Sequence, residues 1–305
     1  MIKLSVIIAT YNRWASLQRT LSSFRSQELD RGLWEIVVVD NNSDDDTSAA
    51  AAGFATANKE LNIKVVAEPR QGLSYARNRG IAESRSEYIV MVDDDVEVND
   101  GFTAAYYQFF QSHPDVAATG GKIAPLYEYQ PPRWLTKYTE RPIAGTTDLG
   151  DKIRPMRKTP IGCNMAFRRT AVESYGGFDT ALGRKGNAAL AGEEKEFFGR
   201  MLAGGEKIYY VPGALVHHII PKSRFTDAYF DKVTCGSGAS ERIRTLNISR
   251  WAYIKRLGSE AVKWGGTWVL AAYYNLLGSR SKSRYLIRMR HNISCGLLAR
   301  GCEDR

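Results

Sequence analysis

Three consecutive carboxylates, Asp93, Asp94 and Asp95, directly follow the apolar run at residues 88–92. Side chains alternate along a β-strand, so the pattern predicts Asp93 and Asp95 on one side and Asp94 on the other. Adjacent like charges repel each other, and a compact fold needs a cation to hold them together. Carboxylate oxygens suit Mg²⁺ or Mn²⁺, which commonly bridge them to the phosphates of a substrate. A solvated acidic turn at the end of a strand is the alternative interpretation.

The elements around the triplet favour a ligand site. Apolar runs at residues 4–9, 35–40, 63–67 and 88–92 are each followed by a helical pattern. This spacing predicts an open parallel α/β sheet, and ligands bind such sheets at the carboxyl ends of the strands. The polar residues that fall at those ends are Thr10, Tyr11, Asn12, Asp40 and the three aspartates.

The pattern is less regular after the triplet. We expect a helix at residues 101–112, a long proline-rich connection at 125–160 and a strand at 162–169. A basic glycine loop, 182–187, precedes a helix that opens at Gly192. Two short strands follow, at 208–211 and 214–218, and the rest of the chain reads as helices.

The charge of the chain is unevenly distributed. The formal net charge is +9, but residues 221–305 hold 16 Lys/Arg and 6 Asp/Glu, a net charge of +10. Such a segment suits an anionic surface. The four cysteines lack the spacing of a metal site, which favours a reduced, cytosolic compartment. The apolar stretch at the N-terminus is too short for that of a signal peptide and has no cleavage-site pattern, so it reads as a buried strand.

Seven motifs occur in a recognisable order, at residues 5–13, 38–43, 76–80, 92–95, 164–168, 177–179 and 192–194. In this order the chain resembles the inverting glycosyltransferases of family 2, which have the GT-A fold. The resemblance covers about residues 3–220. It implies an open, mostly parallel twisted sheet flanked by helices, with a nucleotide-binding half at about 1–95 and an acceptor half at 96–220. Residues 221–305 would form a basic helical extension.

The resemblance also assigns roles at the donor site. Thr10, Tyr11 and Asn12 would lie against the nucleotide, and Asp40 would accept a hydrogen bond from the base, usually uracil. Arg77 would lie near the base or the phosphates. Asp93 and Asp95 match the family's Asp-x-Asp pair, in which Asp95 would bind Mn²⁺ or Mg²⁺ while Asp93 or Asp94 contacts the ribose.

Inverting transfer also needs a proton acceptor for the acceptor hydroxyl. The family places an aspartate there, usually in a Gly-Glu-Asp run, and this chain has Gly192-Glu193-Glu194. Glu194 matches the position of the family's base, although its side chain is one methylene longer than that of aspartate. Glu193 or Glu196 is the alternative candidate for the base. The alternative is an acidic first helical turn that is favoured by the helix dipole.

Further candidates each have a structural alternative. His218, or its neighbour His217, would contact the metal or the diphosphate, or else be an ordinary core or surface histidine. Asn164 and Arg168 would line the donor sugar or hold their strand. Trp134 would stack on an acceptor sugar or anchor a loop. Arg184 and Lys185 would close over the diphosphate or stay solvated.

The resulting hypothesis is a metal-dependent, inverting transfer of a sugar from a nucleotide-diphosphate donor, which we expect to be a UDP-sugar. The expected acceptor is a saccharide or lipid-linked saccharide in the synthesis of a cell-surface glycan. A non-catalytic nucleotide-sugar-binding scaffold is the competing hypothesis. For residues 221–305 we rank an anionic membrane surface first, a homodimer face second and nucleic acid last, because no recognition motif accompanies the charge. The expected location is the cytoplasm, with peripheral binding to the inner face of the plasma membrane.

Overall fold

The structure, a computed structural model, describes residues 1–184 and 192–299. The chain forms two compact units. The first is built from Met1–Leu126, Thr146–Gly186 and Glu193–Ile219, and the second from Tyr127–Gly145 and the segment that begins at Ile220. Lys185, which the sequence places in the basic glycine loop, lies outside the described residues.

The first unit opens with four parallel strands, as the apolar runs predict. In chain order these elements are β1 Leu4–Thr10, α1 Trp14–Ser23, β2 Trp34–Asp40, α2 Thr47–Ala57, β3 Ile63–Ala67, α3 Leu73–Glu83 and β4 Tyr88–Asp93. The strands lie in the order β3-β2-β1-β4, and each pairing is parallel. The carboxyl ends of β1, β2 and β4 therefore meet at one edge of the sheet.

The sheet continues with antiparallel strands. The elements that follow are β5 Val96–Val98, α4 Phe102–Ser112, β6 Ala118–Tyr127, α5 Lys137–Ala144, β7 Arg154–Pro155, β8 Asn164–Arg168, α6 Arg169–Tyr175, α7 Glu193–Ala203 and β9 Ile208–Ile220. Beyond β4 the strand order is β8-β6-β9-β5, with β7 beside β9. The pairings β4–β8, β6–β8, β5–β9 and β7–β9 are antiparallel. The sheet is thus mixed, because β8 returns against β4 after a long connection.

Both faces of the sheet are buried. Val6 and Ile8 of β1 belong to one apolar cluster, which includes Phe102 of α4. Ile7 belongs to a second cluster on the other face, which includes Phe197 of α7. Successive side chains of a strand point to opposite faces, so a continuous apolar run is the expected sequence of such a strand.

The second unit contains α5 and three long helices, α8 Asp227–Ile248, α9 Arg250–Leu276 and α10 Arg280–Leu297. In its core the ring of Trp134 stacks on Tyr285 at a centroid distance of 4.0 Å. Helices α8 and α10 pack closely through two glycines. A Cβ at Gly238 would lie 2.1 Å from the Ile293 carbonyl oxygen, and one at Gly296 would lie 2.2 Å from that of Cys235. Among the described residues, none of the helices is long and apolar enough to cross a membrane.

Candidate active site

The acidic triplet does not alternate as the strand pattern predicts. Strand β4 ends at Asp93, and Asp94 and Asp95 lie in the turn that leads to β5. Asp94 and Asp95 both contact Arg13, whereas Asp93 contacts Arg77. The prediction was wrong because alternation holds only within a strand, and the turn redirects the two later carboxylates.

Arg13 holds the two turn carboxylates together. Its Nη1 donates to Asp94 Oδ1 at 2.6 Å, and its Nη2 donates to Asp95 Oδ2 at 3.1 Å. Thr10 Oγ1 also donates to Asp94, at 2.8 Å. Burial raises the pKa of Asp94 to about 7, although the positive charge of Arg13 opposes this shift. The turn therefore concentrates negative charge, and the guanidinium of Arg13 offsets part of it.

His218 reaches the same carboxylates from β9. Val96 of β5 pairs with His218, and the Ile219 amide donates to the Asp95 carbonyl oxygen at 2.9 Å. This register brings His218 Nε2 to 3.4 Å from Asp95 Oδ1, with both side chains buried. His217 is the register partner of Glu97, and alternation directs it to the other face.

Arg77 links Asp93 to the acidic start of α7. Its Nη1 donates to Glu193 Oε1 at 2.6 Å, and its Nη2 donates to Asp93 Oδ1 at 3.3 Å. The side chain is buried, and a Cβ at Gly162 would lie 2.4 Å from Arg77 Nη2. Gly162 therefore leaves the space that the guanidinium occupies.

Glu194 is the least constrained glutamate in the first turn of α7. It is partly exposed, and its side chain makes no hydrogen bond or ion pair within residues 1–184 and 192–299. Burial, reinforced by the negative charge of Glu193, raises the pKa of Glu194 to about 7. Glu196, the other alternative candidate, is held by Arg200, whose Nε donates to Glu196 Oε1 at 2.7 Å. The three glutamates of this turn thus have different surroundings.

The expected nucleotide residues lie at the ends of β1 and β2. Asp40 is buried and accepts a hydrogen bond from the Ser43 amide at 3.3 Å. Asn12 adopts a left-handed backbone, with φ of 53°, and its amide donates to Ser43 Oγ at 3.0 Å. Tyr11, which directly precedes Asn12 in the chain, is 37% exposed. These contacts join the turn after β1 to the turn after β2.

The side chain of Asn164 holds neighbouring elements of the fold together. Asn164 accepts a hydrogen bond from Tyr106 at 2.6 Å, and its amide donates to the carbonyl oxygens of Lys122 and Ala214. These bonds join neighbouring strands and use the side chain fully.

Arg168 lies away from the acidic edge of the first unit, and Trp134 belongs to the second unit. Arg168 pairs with Tyr88 at the opposite end of β4, because β8 runs antiparallel, and it donates to the carbonyl oxygens of Phe110 and Val116. Trp134 is buried in the core of the second unit. These contacts fit the interpretation of Arg168 as a strand anchor and of Trp134 as a loop anchor, while stacking of Trp134 on an acceptor sugar stays a prediction.

Sequence reasoning gave no role to Arg13 or Asn78. Asn78 Nδ2 donates to the Phe178 carbonyl oxygen, and the Phe178 amide donates back to Asn78 Oδ1, both at 2.8 Å. This reciprocal pair ties the segment ahead of α7 to α3. A signal existed for Arg13, because it follows β1 at the edge where the triplet lies. Only the fold reveals the pair between Asn78 and Phe178.

The site suits a divalent cation that is completed by a substrate. Five carboxylates, those of Asp93, Asp94, Asp95, Glu193 and Glu194, lie around the two arginines Arg13 and Arg77. In the described part of the chain, no three His, Cys, Asp or Glu side chains form a complete metal cage. Asp95 and His218 nevertheless bring an oxygen and a nitrogen donor together. Mg²⁺ and Mn²⁺ commonly take their remaining ligands from water and substrate phosphates, so the residues fit such an ion.

Comparison with known proteins decides the family. The pattern described as glycosyl transferase family 2 matches residues 5–176, more than half of the chain. The chain belongs to glycosyl transferase family 2. The match confirms the resemblance seen in the motifs, and it includes Arg13, Arg77 and the whole acidic triplet.

Two curated relatives of this glycosyltransferase cover most of its length. Glucosyl-dolichyl phosphate glucuronosyltransferase of Haloferax volcanii is 25% identical over 271 residues, which are 84% of this chain and 83% of the relative. Succinoglycan biosynthesis protein ExoM of Rhizobium meliloti is 25% identical over 242 residues, which are 78% of this chain and 73% of the relative. Both similarities support glycosyl transfer in the synthesis of glycans.

Solved structures confirm the GT-A fold of this family 2 member. The mannosyltransferase PcManGT of Pyrobaculum calidifontis, solved with GDP-Man and Mn²⁺, is 18% identical with a TM-score of 0.59, covering 96% of this chain and 87% of its own. GalNAc-T7, solved with UDP, GalNAc and Mn²⁺, is 18% identical with a TM-score of 0.56, covering 78% of this chain and 49% of its own. At this identity the likeness establishes the fold alone.

The glycosyltransferase should depend on Arg13 for stability. We expect Arg13→Gln to lower the free energy of unfolding by about 1–3 kcal/mol, because buried Asp94 loses its charged partner. The matched control is Arg19→Gln, since Arg19 contacts Glu97 in an exposed pair worth about 0–1 kcal/mol. Urea unfolding of the three proteins measures the difference. Equal losses in the two variants would show that Arg13 is an ordinary surface arginine.

Proposed function

We propose that this glycosyltransferase moves a sugar from a UDP-sugar to a hydroxyl of a saccharide or lipid-linked saccharide, with inversion at the anomeric carbon. The proposal includes dependence on Mn²⁺ or Mg²⁺. The observation that carries it is the meeting of two acidic segments at Arg77. This arginine joins Asp93, at the end of β4, to Glu193, at the start of α7. Asp94 and Asp95 directly follow Asp93 in the chain, and Glu194 directly follows Glu193, so the candidate metal residues and the candidate base each adjoin the same pair.

In this proposal, residues at the ends of β1 and β2 and within α3 bind the donor. Asp40 would accept a hydrogen bond from the base, while Thr10, Tyr11 and Asn12 line the nucleotide. The coupled turns that contain Asn12 and Ser43 support this assignment, because they hold the two strand ends in fixed positions. Arg77 would face the donor diphosphate, and Asp93 or Asp94 the ribose.

Charge on the leaving group is the main electrostatic requirement of the reaction. A departing nucleoside diphosphate gains negative charge, and a bound divalent cation offsets that charge. Asp95 and His218 would hold the ion, with Asp93 as the further candidate. Arg13 spans Asp94 and Asp95, so it keeps these carboxylates close together before a donor arrives.

Glu194 is the proposed proton acceptor. A general base works best when its pKa lies near the working pH, and burial beside Glu193 raises the pKa of Glu194 to about 7. Glu193 is committed to Arg77, at 2.6 Å, and so serves as the positioning residue. Glu194 would take the proton of the acceptor hydroxyl as the hydroxyl oxygen forms its bond to the anomeric carbon and the diphosphate departs.

The acceptor proposal draws on the relatives. One relative is named for the transfer of glucuronic acid to glucosyl-dolichyl phosphate, and another for succinoglycan biosynthesis. The first name contains a sugar on a lipid phosphate and the second a polysaccharide, so a saccharide or a lipid-linked saccharide is the acceptor class that we propose. Residues 1–95 would then bind the nucleotide and residues 96–220 the acceptor.

A thermal-shift screen tests the donor and the metal without requiring an acceptor. We expect UDP or a UDP-sugar to raise the melting temperature more with Mn²⁺ than without it, since a ligand at 100 times its dissociation constant stabilises by ~2.7 kcal/mol. GDP and ADP are the matched controls for the base. If no nucleotide shifts the melting temperature and no donor is hydrolysed, the proposed activity is wrong. A shift that is equal with EDTA would contradict the metal.

A further inference from the structure

One face of α9 exposes a row of apolar side chains. The row, which we call the α9 face, consists of Trp251, Ile254, Val262, Val269, Tyr273 and Leu276. At about 100° per residue these positions fall within roughly 100° of one another around the helix, and they extend for ~38 Å along it. Val262 is 78% and Leu276 is 88% exposed, so the described residues leave this face uncovered.

The opposite side of α9 is fixed within the second unit. Glu260, Thr267 and Ala271 are buried there. Glu260 accepts charged hydrogen bonds from Arg256 at 2.7 Å and from Arg290 of α10 at 2.8 Å. Trp264 Nε1 also donates to Ser294 Oγ of α10 at 3.0 Å. The helix therefore presents the α9 face outward in a defined orientation.

The surroundings of the α9 face are basic. Arg250, Lys255 and Lys263 are exposed along α9 and form no ion pair in the part of the chain that the structure describes. The only acidic residue of α9 is the buried Glu260. Just beyond Leu276 lies a hollow lined by Arg133, Gly278, Ser279, Arg280, Ser281 and Lys282. Cations therefore accompany the apolar row along its length and at its end.

We propose that the α9 face binds the surface of an anionic phospholipid bilayer. An exposed apolar stripe with lysine and arginine beside it can bury its side chains among the acyl chains while its cations meet the phosphates. Trp251 and Tyr273, near the two ends, are residue types that favour the interface between lipid and water. A second copy of the chain fits less well, because residues 221–305 carry a net charge of +10 and would face the same charge. The proposal does not depend on the donor, the metal or the base.

Vesicle flotation of the full chain tests this proposal. We expect the protein to float with vesicles of phosphatidylcholine and phosphatidylglycerol, and to bind those of phosphatidylcholine alone at least about tenfold more weakly. The triple variant Val262→Glu, Val269→Glu, Leu276→Glu should bind the anionic vesicles at least about tenfold more weakly than the wild type. These three side chains are strongly exposed, so the fold should tolerate the change.

A matched control separates the α9 face from general effects of charge. The variant Leu149→Glu, Ile153→Glu, Leu202→Glu adds the same charge at exposed apolar positions of the first unit, and it should bind like the wild type. Lys255→Gln with Lys263→Gln should weaken binding and reduce its sensitivity to salt. Equal binding by the two glutamate variants, or no binding by the wild type, would overturn the proposal. So would a wild-type dimer in analytical ultracentrifugation that the α9 variant converts to a monomer without any effect on vesicle binding.

Discussion

Replacing Glu194 with glutamine is expected to lower the rate of sugar transfer by at least about 100-fold, the usual contribution of a general base. Glutamine keeps the size of the side chain but cannot accept the acceptor's proton. Nucleotide binding should persist, because the residues that we propose for the donor lie at the ends of β1 and β2 and within α3. The initial rate of UDP release, measured beside the melting-temperature shift caused by UDP, checks both expectations.

Glu196→Gln is the matched control for this variant. Glu196 lies on the same helix, two residues further along, and pairs with Arg200 at 2.7 Å. Its loss should leave the rate close to that of the wild type. If Glu196→Gln loses as much activity as Glu194→Gln, or if Glu194→Gln stays fully active, Glu194 is not the base.

The same role gives the wild-type enzyme a predictable pH dependence. Glu194 accepts a proton only when it is ionised, and its pKa is raised to about 7 by burial and by Glu193. The rate should therefore fall as the pH drops below about 7 and level off above it. In Glu194→Gln the residual rate should lose this step.

Asp95→Asn is expected to remove the effect of Mn²⁺ on nucleotide binding and to lower turnover by at least about 100-fold, which is ~2.7 kcal/mol in transition-state stabilisation. Asn keeps the shape but lacks the charge that holds the ion, while His218 would remain nearby. Titrations of UDP with Mn²⁺ and with EDTA measure the loss. The variant should give the same dissociation constant in both.

Glu97→Gln controls for the removal of a carboxylate near this turn. Glu97 lies in β5, two residues beyond Asp95, and contacts Arg19 at 2.5 Å. Its substitution should preserve the difference between Mn²⁺ and EDTA. An Asp95→Asn protein that still binds UDP more tightly with Mn²⁺ would show that the ion is held elsewhere.

Periodicity was enough to predict the parallel half of the sheet. Continuous apolar runs such as residues 4–9 and 35–40 indicate strands buried on both faces, and parallel strands gather their polar ends at one edge. Strand alternation and sheet topology therefore predict that Thr10, Asp40 and the triplet lie at one edge. The antiparallel half was harder to predict, because β8 and β9 are short or irregular in pattern and their partners depend on long-range pairing.

The partners of the acidic residues could not be derived from periodicity. Arg77 and Glu193 are 116 residues apart and meet only because α3 and α7 pack near the same face of the sheet. Asp94 and Asp95 share Arg13 because a turn, which alternation does not describe, begins after Asp93. Arg168 lies at the far end of β4 because β8 is antiparallel. Each of these outcomes depends on tertiary pairing.

The stereochemistry of donor cleavage tests the central claim most directly. In the absence of a saccharide acceptor, water can take the sugar from an α-linked UDP donor, and proton NMR of the first turnovers reports which anomer is released. We expect the β anomer to appear first, before mutarotation, in the wild type with Mn²⁺. Initial release of the α anomer would mean retention of configuration and would contradict an in-line reaction with Glu194 as its base.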